Sequence, residues 1–184
     1  MTRGMRTALA AGLVVALAAA GAGVSDAAAK RAQAAKRDAV GLGVGYRPPE
    51  FSGTDLQGRT HTLAAYRGSV LVLHFWATWC PYCRGEIPEL TQLSGGEWAG
   101  RGVRVLAVST DQGLEKLRRF VGKSGLPYAV IADAQQDFMI SDKYGISGIP
   151  VTYVIGRDGH IASRLSGAGD IIAEVRKALE APVS

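Results

Sequence analysis

Val70 to Trp76 reads VLVLHFW, and four residues later the chain reaches Cys80-Pro81-Tyr82-Cys83. A run this apolar offers no polar side to water. It reads as a strand covered on both faces, so it needs helices above and below a sheet. Val103 to Ser109 (VRVLAVS) is a second run of the same kind. Between them lies PYCRGEIPELTQL, with Ile87, Leu90 and Leu93 on one side of a helix. Downstream, GLEKLRRFVGKSG reads as an amphipathic helix ended by Gly125. YAVIAD reads as a short strand and QQDFMISDKYG as a helix. PVTYVIGRDGHIASRL reads as a hairpin turning at Arg157-Asp158-Gly159, and DIIAEVRKALEA as a closing helix. Upstream, FSGTDLQGRTHTL has turn residues in its middle and predicts a further hairpin. The expected class is α/β, a mixed central sheet flanked by helices, with an added N-terminal β-hairpin.

This core does not need all 184 residues. Arg3 and Arg6 precede an uncharged run, Ala8 to Val24, and the small residues SDAAA. That order marks residues 1–29 as an export signal or a signal anchor. The run is short for a membrane span and rich in Ala and Gly, which favours cleavage. In either case the domain is expected outside the cytoplasm, in the periplasm or anchored facing it. Residues 30–45 (KRAQAAKRDAVGLGVG) read as a flexible basic tether, a solvated spacer rather than a lipid contact, so any membrane tether would run through the N-terminus. The domain proper is residues 46–184.

Charge follows the same division. Six basic residues and one acid precede Asp38, whereas the rest carries fifteen of each. The net charge of +5 therefore belongs to the signal and tether. A neutral domain excludes a basic nucleic-acid-binding face, and no nucleic acid is expected among the partners.

Cys80 and Cys83 are the only cysteines. As a staple, a four-residue loop contributes about 2 kcal/mol, against nearly 5 for a loop of about 100 residues. As a zinc half-site the pair lacks partners, since His61, His74 and His160 are scattered. Redox chemistry remains. With Pro81 at the first helical position, Cys80 stands at a helix N-terminus, where free N–H groups and the dipole favour a thiolate. Cys83, one turn on, is within reach of Cys80 and more buried. Cys80 would then attack a substrate disulfide and Cys83 would resolve the mixed disulfide. Trp79 and Tyr82, beside and between the cysteines, read as surface contacts for substrate.

The segment FWATWCPYCRGEIPEL resembles the active-site segment of the thioredoxin superfamily, and more narrowly that of the TlpA/ResA-type extracytoplasmic thiol-disulfide oxidoreductases. The shared pattern falls on Trp76, Trp79, Cys80, Cys83, Glu86, Pro88 and Leu90. YGISGIPVTYVIGRDGHI resembles the family's cis-proline loop and hairpin, and PPEFSGTDLQGRTHTLAAYRGSVLVLHFW its N-terminal leader. The resemblance spans roughly Tyr46 to Glu180 and implies a thioredoxin-like fold. It implies a cis bond at Pro150, with the backbone of Ile149 pairing with substrate. It also implies that Glu86 relays a proton to Cys83 or tunes the thiols. His74 stands where thioredoxins proper carry a buried acid, so it becomes a second candidate for the relay. No cofactor or metal is implied. The implied activity is reduction of disulfides in exported proteins, such as apocytochrome c before haem attachment, with a membrane thiol carrier as electron donor. The alternative is a disulfide oxidase or isomerase, towards which the Pro-Tyr dipeptide leans; a non-enzymatic binding module is the remote one. The peroxiredoxin pattern would need Pro at position 73 and Thr at 77, where the chain has Leu73 and Ala77.

Overall fold

The structure, a computed structural model, describes residues 26–182. The apolar run of the expected signal lies outside the described residues. Among the described residues, no helix is long and apolar enough to cross a membrane.

The chain forms a five-stranded sheet in the order β5-β4-β3-β6-β7. At its centre β3 (Val70–Trp76) pairs in parallel with β4 (Val103–Ser109), which pairs in parallel with β5 (Ala129–Ala132). On the other side β6 (Val151–Ile155) runs antiparallel to β3, and β7 (Ile161–Ser166) antiparallel to β6. Every residue of β3 is buried, as its uninterrupted apolar character requires. Strand alternation divides its side chains between two faces. Leu71, Leu73 and Phe75 pack with Tyr144 and Tyr153. Val70 and Val72 pack with Leu90 and Leu93 of α2 (Pro81–Ser94) and with Ile171 and Val175 of α6 (Ile171–Glu180). Each such side chain contributes about 1.5–3 kcal/mol on full burial. His74 has the parity of Val70 and Val72, so it sits under α2 and α6. That placement positions the site.

Three further helices within the domain are α3 (Gly96–Gly100), α4 (Leu114–Ser124) and α5 (Met139–Lys143). Gly125 ends α4 in the left-handed conformation with φ of 58°, as its place after the amphipathic run predicts. The segment QQDFMISDKYG is helical only in part: a 3-10 turn (Asp133–Gln136) precedes α5, with Asp137 and Phe138 at positive φ between them.

The N-terminal hairpin is present as β1 (Ser52–Thr54) and β2 (Thr60–Thr62). It is joined to the β5 edge by Leu56 N–H donating to Val130 O at 2.9 Å. Gly53 lies close over the core: a Cβ there would stand 2.8 Å from Ile140 Cδ1 and 3.1 Å from Ile131 Cδ1. The buried Asp55 carboxylate accepts from the Gln57 and Arg59 N–H groups at 2.9 Å and from Arg59 Nε at 2.8 Å. His61 Nε2 lies 2.8 Å from it, so His61 is a partnered side chain and not the solvated one its place beside a turn suggests. Burial alone would raise the Asp55 pKa, but the bonds from His61 and Arg59 outweigh it and hold the group at about 2. A depressed carboxylate stabilises above its unfolded pKa of 3.8 and loses that contribution as pH falls through 2. Asp55→Asn should therefore cost roughly 2 kcal/mol near pH 7, a difference that closes by about pH 2. Denaturant titrations across that range measure it; a pH-independent difference would refute the charge assignment.

The tether reading needs correction. Residues 26–38 form a helix, α1, and residues 45 and 46 are hydrogen-bonded to the domain at Ile161. The Gly-rich stretch after residue 40 suggested a spacer. The preceding DAAAKRAQAAKR is rich in Ala, the best helix former, with Asp26 and Lys30 paired at i,i+4 over 2.8 Å. The C-terminal end of α1 is docked: Arg37 donates to Asp158 Oδ2 at 2.6 Å, and His160 Nε2 lies 2.9 Å from Arg37 O.

Candidate active site

β3 ends at Trp76, and Ala77 to Cys80 make a turn closed by Cys80 N–H donating to Ala77 O at 3.2 Å. Helix α2 starts at once, with Pro81 in its first turn and Cys80 as N-cap. Pro81 needs no N–H partner at that position, and its ring presets the helical φ. Cys83 N–H donates to Cys80 Sγ at 3.2 Å. A helix N-terminus thus points a donor directly at the sulfur, which favours its anionic form. The two cysteines are joined as a disulfide with Cα atoms 5.3 Å apart.

Cys83 is fully enclosed, as expected. Cys80 is only slightly less enclosed: in the disulfide it is 4% accessible. Its order relative to Cys83 holds, and the sulfur is turned back onto the helix by the cap bond and packed with Trp76 and Leu117. The exposed rim is supplied by Trp79 and Tyr82, 60% and 73% accessible. Two flat rings projecting on either side of a reactive sulfur form a surface suited to an extended chain. Trp76 is buried and belongs to the core.

The Ile149–Pro150 peptide bond is cis. Ile149 packs against the cluster that holds Cys80 and Cys83, which brings the 145–150 loop to the cysteines. A groove of about 260 Å³ runs from this loop along β7, lined by Ser147, Pro150, Arg164 and Ser166 among others.

Glu86 and His74 meet between α2 and β3, one helical turn along α2 from Cys83. Glu86 lies one turn after Cys83 on the same face of α2, and both are buried. Its Oε1 accepts from Gly169 N–H at 3.4 Å, and its Oε2 has no hydrogen-bond partner. His74 is opposite Thr152 in the β3–β6 register, with Nδ1 2.9 Å from Thr152 Oγ1. Its Nε2 is also unpartnered, 3.9 Å from Glu86 Oε2. Burial pushes Glu86 up to about 7, helped by the neighbouring Glu89 and opposed by the Gly169 bond. Burial pushes His74 down to about 3. Between pH 4.5 and 6.5 the pair therefore carries one proton, on the carboxyl group, where the unfolded chain carries it on the imidazole. Raised into the neutral range, this carboxyl group can give up or take a proton there, which suits an acid–base role in thiol exchange.

Both members of the sequence-read relay are thus brought together, and each is at one end of a gap of 3.9 Å. Sequence reasoning missed a second buried acid near the cysteine turn. Asp111, just past β4, is bonded to Thr78 of the active-site turn. Its only sequence signal is a Ser-Thr-Asp triplet ending a buried strand. Among the described residues, no cluster of three or more His, Cys, Asp or Glu side chains has metal-binding proximity.

Residues 44–164 match the AhpC/TSA family. The chain is 32% identical over 126 residues to the thiol-disulfide oxidoreductase ResA of Geobacillus thermodenitrificans, covering 68% of this chain and 71% of that one. It superposes on the crystal structure of a candidate thiol:disulfide interchange protein, DsbE, from Chlorobium tepidum. There the TM-score is 0.68 at 26% identity, over 76% of this chain and 99% of the other. It also superposes on a secreted Mycobacterium tuberculosis disulfide oxidoreductase homologous to E. coli DsbE. That match has a TM-score of 0.58 at 26% identity, over 70% of this chain and 93% of the other.

Proposed function

Since the chain belongs to the AhpC/TSA family and is a thiol-disulfide oxidoreductase of the ResA type, we propose that it is an extracytoplasmic reductant of disulfides in exported proteins. The observation that carries this reading is the Cys80–Cys83 pair at the start of α2, with the buried Glu86 carboxyl group one turn on along the same helix face. In the first step the Cys80 thiolate attacks one sulfur of a substrate disulfide. An S–S bond forms between enzyme and substrate, and the other substrate sulfur leaves as a thiolate. Cys83, its proton passed to the Glu86–His74 pair, then attacks Cys80 Sγ. The enzyme disulfide forms and the second substrate sulfur leaves, so two electrons have moved to the substrate. An external dithiol, in the cell a membrane thiol carrier, must reduce the pair again.

Trp79 and Tyr82 form one wall for the substrate, and Ile149 and Pro150 the other. The apolar run behind Arg3 and Arg6 supports an exported or membrane-tethered protein, and the secreted M. tuberculosis relative agrees with this. Oxidised CxxC motifs such as those of apocytochrome c suit a site open enough for a backbone to lie along the 145–150 loop.

Direction is the second question. The N–H group aimed at Cys80 Sγ stabilises the reduced form and so favours an oxidant, the reading the Pro-Tyr dipeptide also favours. A buried carboxylate nearby opposes thiolate formation. The balance leads us to expect a reduction potential of roughly −200 to −270 mV, between disulfide isomerase and thioredoxin. Equilibration with glutathione buffers and counting of thiols measures it. A value near about −120 mV, that of a dedicated oxidant, would overturn the reductant reading.

A further inference from the structure

The Ala77–Cys80 turn carries the attacking sulfur, and it is held from outside its own segment. Asp111 lies just past the C-terminal end of β4 and is 3% exposed. Its Oδ2 accepts from Thr78 N–H at 2.7 Å and from Ser109 Oγ–H at 2.8 Å. Its Oδ1 accepts from Thr78 Oγ–H at 2.7 Å. Ser109 Oγ in turn accepts from Asp111 N–H at 3.1 Å. One residue earlier, Thr110 N–H donates to Trp76 O at 2.9 Å. The loop after β4 thus grips the chain on both sides of Ala77.

We infer that Asp111 is a positioning residue for thiol–disulfide exchange, holding the Thr78 backbone and hydroxyl so that Cys80 Sγ meets the incoming disulfide in line. Thr78 is the second residue of the turn. The third, Trp79, projects into solvent, so the grip on Thr78 and the Cys80–Ala77 bond are what locate Cys80 before α2 begins. All three donors to Asp111 are neutral groups of Thr78 and Ser109, and all are buried with it. A carboxylate buried this way is costly unless its bonds are kept. Its presence at a turn two residues from the nucleophile reads as a fixed anchor for that turn. Displacement of a reacting atom by about 1 Å costs up to about a hundredfold in rate.

The inference rests on Cys80 being the attacking thiol, and the test separates the two. Reduced wild-type protein is reacted with oxidised glutathione, and its insulin-reducing turnover with dithiothreitol is measured; absence of both would count against the exchange reading itself. Given an active wild type, folded Asp111→Ala should lose about tenfold to a hundredfold in the rate constant for exchange. The pH profile of Cys80 alkylation should shift with it. Asp111→Asn should restore both. Its carbonyl can accept from Thr78 N–H and Ser109 while its amide donates to a rotated Thr78 hydroxyl, so geometry is kept and charge removed. Thr78→Val, which loses one of the two bonds to Thr78, should fall between. If Asp111→Ala does not fold, Asp111→Asn and Thr78→Val carry the test. Wild-type rates and alkylation profile in folded Asp111→Ala, or in Thr78→Val, would overturn the inference. So would an Asp111→Asn variant as slow as the alanine variant, because charge and not position would then be at work.

Discussion

Cys83→Ser is expected to accumulate as mixed disulfides through Cys80, while Cys80→Ser accumulates none and neither variant turns over. The asymmetry follows from the helix start. Cys80 alone receives an N–H group at its sulfur and lies beside the exposed Trp79. Cys83 is enclosed, one turn deeper, and can reach only the sulfur of Cys80. Removing Cys83 leaves attack intact and deletes resolution; removing Cys80 deletes attack. Non-reducing electrophoresis of extracytoplasmic extracts, followed by identification of the captured partners, reads the result directly. Equal capture by the two variants would defeat the assignment of roles. Partners drawn from exported proteins with CxxC motifs would extend the proposed substrate class, and purely cytoplasmic partners would contradict it.

Glu86→Gln should change how stability depends on pH more than it changes stability at any acid pH. Burial raises the Glu86 carboxyl group from 4.5 to about 7, so the folded protein holds a proton there that the unfolded chain has lost. The sign follows from linkage: this group's contribution is complete below pH 4.5 and falls as pH rises through 7. Gln mimics the protonated carboxyl group at every pH, and its amide can donate towards His74 Nε2. Below pH 4.5 the variant should match the wild type, and above pH 8 it should be more stable by about 3 kcal/mol. The neutral-range rise in the rate of resolution should vanish in the same variant, since Gln cannot take the Cys83 proton and burial keeps His74 too weak a base to replace it. His74 has the opposite sign. Its pKa falls from 6.5 to about 3, so its contribution is complete above 6.5 and is lost as pH falls through 3. Between pH 4.5 and 6.5 the two slopes cancel, and His74→Leu should expose the Glu86 slope across that window. Urea titrations at several pH values measure both. Parallel stability curves for wild type and Glu86→Gln would remove Glu86 from the proton balance.

Much of the site was legible because it is local. A helix that begins at Pro81 puts Cys80 at its N-cap and Cys83 one turn on, whatever the rest of the chain does. An apolar run without a polar side must be a buried strand, so β3 and β4 were readable and the α/β class with them. The same local logic put Glu86 on the face of Cys83. The local reading went wrong where two signals competed. At residues 30–38 the helix-forming Ala, Lys and Arg compete with the signal of the glycines that follow, and the docking of Arg37 on Asp158, across 121 residues, leaves no local trace.

What the tertiary structure alone decided is which polar groups share a dry space. Sequence predicts that His74 is inward-facing but not that the antiparallel β6 sets Thr152 beside it and α2 sets Glu86 above it. Those neighbours, through desolvation, move one pKa up and the other down. Sequence likewise gives no sign that Asp111 reaches back 33 residues to Thr78. The parallel register, Trp76 opposite Ser109, brings the two loops to the same sheet end. The physical reason is common to both cases. Backbone propensity and hydrophobic periodicity act over a few residues and are written in order along the chain. Desolvation and hydrogen bonding between buried groups depend on distances that exist only once the strands have paired.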